Sequence, residues 1–203
     1  MNSPADMANF KQIFVQEQYE RVRGLENVSL VLDLGAYVGY ASAYFLSCFP
    51  RARILAVEPD PRNLAICRMN LAPFGERVTL LHGAVWSRCT QLRVSRGAFD
   101  DMTEVFEPEP GSPGEVPAWD IPSLIEMAGG GEVDLLKIDI ERAELAVFND
   151  RAPEWLPKVR NICIELHGQD CKTAFFRALA DFDFDLGHSG ELTICFTLRA
   201  KTP

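Results

Sequence analysis

The stretch VLDLGAYVG, residues 31–39, decides the fold of this chain. It completes an apolar run over residues 28–34 that is typical of a buried parallel strand. The run leads into Gly35 and Gly39, and a helical pattern then covers residues 40–48. A glycine turn between a strand and a helix lies at the carboxyl edge of an α/β sheet, where the backbone can approach a ligand closely. The stretch therefore predicts a ligand-binding turn in an α/β domain.

Strands and helices alternate along the rest of the chain. Apolar runs that predict further parallel strands cover residues 53–57, 78–82, 133–138 and 161–166. Helical segments cover residues 61–71, 121–127, 142–148 and 172–179, the first two capped by Asp60 and Asp120. Alternating apolar residues over 182–186 and 192–198, with turn formers at 188–190, predict a closing antiparallel hairpin. The order predicts an α/β fold whose sheet is mostly parallel.

Two segments lie outside this alternation. Residues 1–27 are predicted to be an N-terminal segment that contains one helix, which starts at Ser3 and ends before Gly24. This helix is expected to pack on a domain formed by residues 28–203. After a short strand over 91–95, the acidic, proline- and glycine-rich segment 99–117 is predicted to be a surface loop, with a lid over the cleft as the alternative.

Composition excludes several classes of protein. The formal net charge of −9 disfavours broad binding to nucleic acid. Charged residues interrupt every apolar run, so no membrane span is expected, and the N-terminus lacks a secretory pattern. The six cysteines form no Cys-x-x-Cys pair, so neither a zinc cage nor a disulfide framework is expected. A cytoplasmic location is the simplest expectation; the oligomeric state is left open.

Three strand ends offer groups for a nucleoside ligand. Gly35 and Gly39 are four positions apart, which differs from the G-x-G-x-x-G pattern that holds a pyrophosphate. Asp33 before them would repel a pyrophosphate but suits an ammonium group. Glu58, followed by Pro59, ends the second strand, where a carboxylate can accept two ribose hydroxyls; capping of the next helix is its alternative role. Small residues over 83–85 leave a slot for an adenine ring, with simple tight packing as the alternative.

These motifs resemble the FkbM family of methyltransferases in consistent order from Val28 to Gly168. The resemblance rests on residues 31–40, 57–59, 133–141 with Glu144, and 164–168, and the Lys-x-Asp-x-Glu-x-x-Glu segment from Lys137 is its most distinctive part. It implies a Rossmann-like class I methyltransferase fold with a seven-stranded sheet, S-adenosylmethionine as cofactor, and O-methylation of a small molecule or sugar in biosynthesis. The expected cofactor-binding residues are Asp33, Gly35, Ala36, Tyr37, Gly39, Glu58, Pro59, Gly83, Ala84 and Val85. The chain departs from the family at Tyr37, where Asn is typical, and at Arg142, where Gly is typical.

The expected reacting centre follows the fourth and fifth parallel strands. In one hypothesis His167 is the general base, and Asp139 or Glu141 positions the substrate. In another, a divalent metal is shared by Asp139, His167 and either Glu165 or Glu141. A structural role for His167 is the third alternative. Arg142 is expected either to bind an anionic group of the substrate or to pair with a surface carboxylate, and Lys137 is expected to pair with a nearby carboxylate.

Three function classes remain after this reasoning: a small-molecule O-methyltransferase, a nicotinamide-dependent oxidoreductase, and a noncatalytic partner protein that binds S-adenosylmethionine. The glycine spacing and the terminal hairpin disfavour the oxidoreductase. Because no added substrate domain is visible, the N-terminal helix and the loops are expected to recognise the acceptor.

Overall fold

The computed structural model describes residues 4–96 and 103–202 and places a seven-stranded sheet at the centre of the chain. The strands are β1 (Leu30–Leu34), β2 (Arg53–Glu58), β3 (Val78–His82), β4 (Ala84–Val85), β5 (Thr90–Arg96), β6 (Thr103–Phe106), β7 (Val116–Trp119), β8 (Leu135–Ile138), β9 (Ile162–Glu165), β10 (Phe182–Ser189) and β11 (Leu192–Ala200). The α-helices are α1 (Pro4–Phe14), α2 (Glu20–Arg23), α3 (Tyr40–Cys48), α4 (Pro61–Leu71), α5 (Ile121–Met127), α6 (Glu144–Val147) and α7 (Gln169–Ala178). Short 3₁₀ helices cover Ala72–Arg77, Ala152–Glu154 and Leu156–Lys158.

The sheet has the strand order β10-β11-β9-β8-β1-β2-β3. Strands β3, β2, β1, β8 and β9 are parallel, whereas β11 is antiparallel to both β9 and β10. The predicted parallel sheet with a closing hairpin is therefore confirmed. The order reverses direction at β1, whose neighbours are β2 and β8, and ligands bind at such a switch point of an open α/β sheet.

Burial explains why β1 lies at the centre. All five of its residues are buried, as expected for a parallel strand covered on both faces. Leu30, Leu32 and Leu34 belong to one core cluster together with α5 and α7, whereas Val31 belongs to a second cluster together with α3 and α4. The alternation of side chains along one strand thus assigns the helices to two layers.

Helices α3, α4 and α5 begin where the sequence predicts. Asp60 accepts a hydrogen bond from the amide of Arg62 at 2.8 Å, and Asp120 accepts one from the amide of Ser123 at 3.0 Å. Each cap is followed by a proline in the first turn, a position that does not need its amide. Asp60 rather than Glu58 is thus the cap of α4.

The N-terminal segment is not the single helix that the sequence predicts. It forms α1 and α2, separated by a break at which Glu17 has a φ of +52°. Tyr19, just after the break, is buried and packs with ring centroids 4.9 Å from Phe45 and 5.9 Å from Tyr44. Burial of this aromatic ring outweighs continuation of the helix. The predicted capping residue, Ser3, lies outside the described residues.

The predicted loop over 99–117 is also partly wrong. Its residues 99–102 lie outside the described part of the chain, but β6 and the start of β7 fall within it and join β5 and β4 in a four-stranded sheet. Strands β6 and β7 each pair antiparallel with β5, and this pairing satisfies their backbone groups. The prolines and acidic residues of the segment give no indication of this pairing. No described helix has the length and apolar character that a membrane crossing requires.

Candidate functional site

A cavity of about 240 Å³ opens at the carboxyl edge of the sheet, beside the switch point. One end is formed by Glu58, Pro59, Asn63, Gly83, Ala84 and Val85, and the other by Asp139, Ile140, Glu141, Glu165 and Glu191. Gly35 and Tyr37 of the glycine turn lie on its wall. Helix α1 contributes Ala5, Ala8, Asn9 and Gln12, and β6 contributes Thr103 and Val105. The predicted ligand-binding turn and the predicted reacting centre therefore share one cavity.

The glycine turn is shaped by its contact with the end of β8. Gly35 has a φ of +80°, and a Cβ there would overlap the carbonyl group of Asp139. Gly39 has a φ of +86°, and a Cβ there would lie 2.8 Å from the sulfur of Cys67. Gly39 and the buried Ala36 are not among the described residues that line the cavity; within the turn the amide of Gly39 donates a hydrogen bond to the carbonyl of Ala36 at 2.8 Å.

Tyr37 also adopts the left-handed region, with a φ of +50°. Asn tolerates this conformation better than most residues, which accounts for Asn in the related sequences. The Tyr37 hydroxyl donates a hydrogen bond to Asp6 of α1 at 2.8 Å. The departure from the family at this position thus connects the turn to the helix that covers the cavity.

Glu58 is buried on the cavity wall by its neighbours. One carboxylate oxygen accepts a hydrogen bond from the amide of Tyr37 at 2.9 Å. The other accepts bonds from the amide of Asp60 at 2.9 Å and from the side-chain amide of Asn63 at 3.3 Å. Burial raises the pKa of Glu58 to about 7 even though these donors act to lower it. The carboxylate is therefore fixed in position; one oxygen accepts two hydrogen bonds, and the other accepts a single bond and retains acceptor capacity.

Asp33 lies beneath the cavity rather than on its wall. Its carboxylate is fully buried, accepts a hydrogen bond from Ser42 at 2.6 Å and lies 3.1 Å from the ammonium of Lys137. The predicted direct contact of Asp33 with a ligand ammonium is not visible in this arrangement, because both oxygens face protein groups. The predicted pairing of Lys137 with a carboxylate is present.

Lys137 joins the two ends of the site. Its ammonium donates a hydrogen bond to the carbonyl of Gly35 at 2.6 Å and lies 3.7 Å from Asp139. Burial alone would lower the pKa of Lys137, but the charges of Asp33 and Asp139 raise it, so the side chain stays protonated. The lysine thereby positions both the glycine turn and the end of β8.

His167 lies among four carboxylates at the other end. Its Nδ1 is 3.0 Å from Glu144, and its Nε2 is 3.6–3.7 Å from Asp139, Glu141 and Glu165. Burial would lower the pKa of His167, but the hydrogen bond with Glu144 and the surrounding negative charges raise it to about 9. Burial, reinforced by Asp139, raises the pKa of Glu165 to about 7. The predicted reacting residues therefore meet, and the imidazole is protonated at neutral pH.

The backbone at this end is strained. Glu141 and Arg142 have φ values of +47° and +71°, which are incompatible with a right-handed helix. Helix α6 therefore begins only at Glu144, and the longer helix predicted over 142–148 is wrong at both ends. A glycine suits position 142 without strain, in agreement with the family pattern. Arg142 instead donates hydrogen bonds to the carbonyl of His167 at 3.1 Å and to Asp170 at 2.6 Å. Its guanidinium thus has the predicted surface partner, not a place on the cavity wall.

The sequence reasoning missed several residues that the cavity brings together. Nothing in the pattern of α1 shows which face points toward the sheet, so Ala5, Ala8, Asn9 and Gln12 carry no signal. The motif that contains Glu144 does not indicate its partner, and its contact with His167 joins α6 to the end of β9.

The sequence profile of the methyltransferase FkbM domain matches residues 33–187. The synthetase AmbE of Pseudomonas aeruginosa, an AMB antimetabolite synthetase, is 27% identical over 91% of this chain, which spans 10% of that protein. The 2-O-methyltransferase NoeI of Sinorhizobium fredii is 27% identical over 71% of this chain, which spans 54% of NoeI.

Among solved structures, the methyltransferase FkbM of Methylobacillus flagellatus superposes with a TM-score of 0.62 at 18% identity. That superposition covers 89% of this chain and 47% of the other. At this identity the likeness concerns the fold, which is the Rossmann-like methyltransferase fold predicted above. The profile match extends over the glycine turn, Glu58, the Lys137 segment and His167 in a single stretch of the chain. The chain belongs to the FkbM family of methyltransferases.

Proposed function

We propose that this protein is an S-adenosylmethionine-dependent O-methyltransferase that acts on a hydroxyl group of a small molecule or sugar, in a cytoplasmic biosynthetic pathway. The observation that carries the proposal is the single cavity that joins Glu58 at one end to Asp139, Glu141 and Glu165 at the other. Membership of a methyltransferase family supports the reaction class and gives no support to the nicotinamide-dependent alternative.

The end of the cavity around Glu58 fits a nucleoside. The oxygen that accepts only the Tyr37 amide can take a further hydrogen bond from one ribose hydroxyl, and the second hydroxyl can replace the long 3.3 Å contact from Asn63 on the other oxygen. Gly83, Ala84 and Val85 line the adjacent wall with small side chains, which leaves room for an adenine ring. When bound here, S-adenosylmethionine supplies an electrophilic methyl group. Its amino-acid part would lie toward Gly35 and Asp139, where Lys137 holds the backbone.

The acidic end of the cavity provides groups that orient an acceptor. Asp139, Glu141 and Glu165 line the cavity, whereas His167 is not among the described lining residues and its Nε2 lies 3.6–3.7 Å from these carboxylates. We therefore assign acceptance of the hydroxyl proton to a carboxylate and a positioning role to His167. The acceptor oxygen then forms a bond to the methyl carbon, the carbon–sulfur bond breaks, and its electron pair stays on sulfur.

The composition of the cavity limits the acceptor. Carboxylates predominate among its charged lining groups, so a phosphorylated or carboxylated acceptor would be repelled. The amides of Asn9, Gln12 and Asn63 can exchange hydrogen bonds with hydroxyl groups. A neutral polyhydroxylated acceptor fits these features, and the 2-O-methyltransferase activity named for NoeI supports oxygen as the methylated atom.

Calorimetry with S-adenosylhomocysteine tests the donor site. Wild-type protein should bind it, Glu58→Ala should weaken binding by at least tenfold, and NAD should not bind. Glu191→Ala, which removes a carboxylate from the other end of the same cavity, is the matched control and should bind normally. A folded wild-type protein that takes up no S-adenosylhomocysteine would refute the proposal.

Transfer of a labelled methyl group to a panel of neutral sugars and polyols then tests the reaction. If binding is normal but no acceptor is methylated, and Asp139→Ala leaves the biological activity of the chain intact, the noncatalytic alternative is correct.

A further inference from the structure

We propose that Asp139, Glu141 and His167 form a binding site for a divalent cation of the Mg²⁺ or Mn²⁺ class. Its role, which rests on the function proposed above, is to hold the acceptor hydroxyl at the acidic end of the cavity. The site draws on two segments of the chain that meet at the carboxyl ends of β8 and β9.

The first support is the spacing of the ligand atoms. The Nε2 atom of His167 lies 3.7 Å from an oxygen of Asp139 and 3.6 Å from an oxygen of Glu141. These distances exceed the roughly 3.2 Å limit of a good hydrogen bond. Ligands bound at about 2.1 Å to one cation lie roughly 3.0–3.5 Å apart. The two distances to Nε2 are thus slightly longer than this spacing, and the candidate ligand atoms of all three groups lie within 4.8 Å of one another.

The second support is the partner of the other ring nitrogen. Glu144 is fully buried, and its carboxylate is 3.0 Å from Nδ1 of His167. A cation at Nε2 takes the place of the proton on that nitrogen, and a carboxylate that accepts the Nδ1 proton fixes the plane of the ring. This carboxylate–histidine arrangement recurs behind metal-binding histidines. It is independent of the acidic residues that face the cavity.

The third support is the local charge. Asp139, Glu141 and Glu165 face Nε2, and Glu144 faces Nδ1, so four carboxylates surround one imidazole. Lys137 approaches Asp139 but also neutralises Asp33. A half-buried site with this excess of negative charge attracts a cation, and a mixture of oxygen ligands and one imidazole suits Mn²⁺ or Mg²⁺ better than a soft metal.

The cation would assist the carboxylates already assigned to the acceptor. By binding the acceptor oxygen it would lower the pKa of the hydroxyl, whose proton passes through Glu165 to solvent before the oxygen takes the methyl group. Glu165 lies on the cavity wall with an oxygen 3.6 Å from Nε2, so it is near the site without being required as a ligand.

Electron paramagnetic resonance tests the site directly, because free Mn²⁺ loses its signal when it binds. Chelator-treated, dialysed protein is titrated with Mn²⁺ in the absence of any nucleoside. We expect one Mn²⁺ per chain, competition by Mg²⁺, and at least a tenfold loss of affinity in Glu141→Gln and in Asp139→Asn. Glu144→Gln, which alters the partner of Nδ1 and keeps an oxygen that can accept the amide of Ile140, should weaken binding by 10–100-fold. Glu191→Gln removes one cavity carboxylate outside the site and should stay within twofold of wild type.

Thermal unfolding of each metal-free variant shows which of them are folded, and the comparison uses those that are. Absence of Mn²⁺ binding by the wild type, or equal binding by Glu141→Gln, Asp139→Asn and Glu191→Gln, overturns the proposal. The same samples are titrated with S-adenosylhomocysteine. Uptake of the nucleoside without Mn²⁺ refutes the cation site alone, whereas uptake of Mn²⁺ without the nucleoside refutes the proposed methyl transfer alone.

Discussion

Replacement of Lys137 by methionine tests the buried ion pair that connects the glycine turn to β8. Lys137 is 3% exposed and Asp33 is fully buried, so solvent cannot compensate the charge of Asp33 once the ammonium is removed. Loss of one partner from a buried pair costs about 3–5 kcal/mol. Protonation of the remaining acid sets an upper limit to this loss of stability, because neutralising an aspartic acid of ordinary pKa at pH 7 costs about 4 kcal/mol. We therefore expect Lys137→Met to lower the free energy of unfolding by about 3–4 kcal/mol at pH 7.

The assay is reversible urea unfolding of wild type, Lys137→Met, Asp33→Asn and the double variant. The double variant has neither charge, so it should be more stable than the sum of the single losses predicts, with a coupling of at least about 2 kcal/mol. At pH 5 this upper limit falls to about 1.5 kcal/mol, so the deficit of Lys137→Met relative to wild type should shrink. Additive single losses, or a loss below about 1 kcal/mol at pH 7, would refute the assignment of this pair as a buried structural link.

Three further predictions concern the turn, the nucleoside end and the strained residue. Gly35→Ala should lower the free energy of unfolding in urea by more than about 2 kcal/mol, because the added Cβ would overlap the Asp139 carbonyl. The control Gly24→Ala, with open space around it, should be neutral or slightly stabilising. Affinity for S-adenosylhomocysteine, measured by calorimetry, should rise up to about tenfold from pH 6 to pH 8. Glu58 ionises near pH 7, and only its carboxylate form accepts both ribose hydroxyls. In the control variant Glu58→Gln the affinity should not change over this pH range. Arg142→Gly should be about 1 kcal/mol more stable than Arg142→Ala. Both variants lose the contact with Asp170, but only glycine accepts a φ of +71° without strain. Equal stabilities of the two variants would argue against strain at this position.

The sequence predicts those parts of the fold that local chemistry determines. The predicted bounds of α4, Pro61 and Leu71, follow from the cap Asp60 and from the apolar positions within the helix. The structure has the same bounds. Strands β1, β2, β8 and β9 are mostly apolar and mostly buried because both faces of the sheet are covered there. In contrast, the break between α1 and α2 depends on the packing of Tyr19 against residues about 25 positions away, and no local pattern encodes that contact.

The same distinction applies to the candidate site. Asp139, Glu141, Glu165 and His167 could be predicted to meet because the carboxyl ends of neighbouring parallel strands share one edge. The orientation of Asp33 could not be predicted, since an acid near the end of a central strand can point toward a ligand or beneath it. The buried Lys137 decides between these two orientations. The protonation of His167 likewise depends on four carboxylates from separate segments, and only their distances reveal it.

The break after α1 has a consequence for turnover. The cavity is covered by the short helix α1, which is held by the buried Ile13 and by the rings of Phe10 and Phe14 against Tyr40, whereas its base is the hydrogen-bonded centre of the sheet. Helix α1 and the sheet therefore belong to units of unequal local stability, and the helix can open at a small fraction of the free energy of global unfolding. Under the proposed function, the nucleoside product would leave and new nucleoside would enter through this opening while every strand keeps its register. Amide protons of α1 should accordingly exchange with solvent far sooner than those of β1.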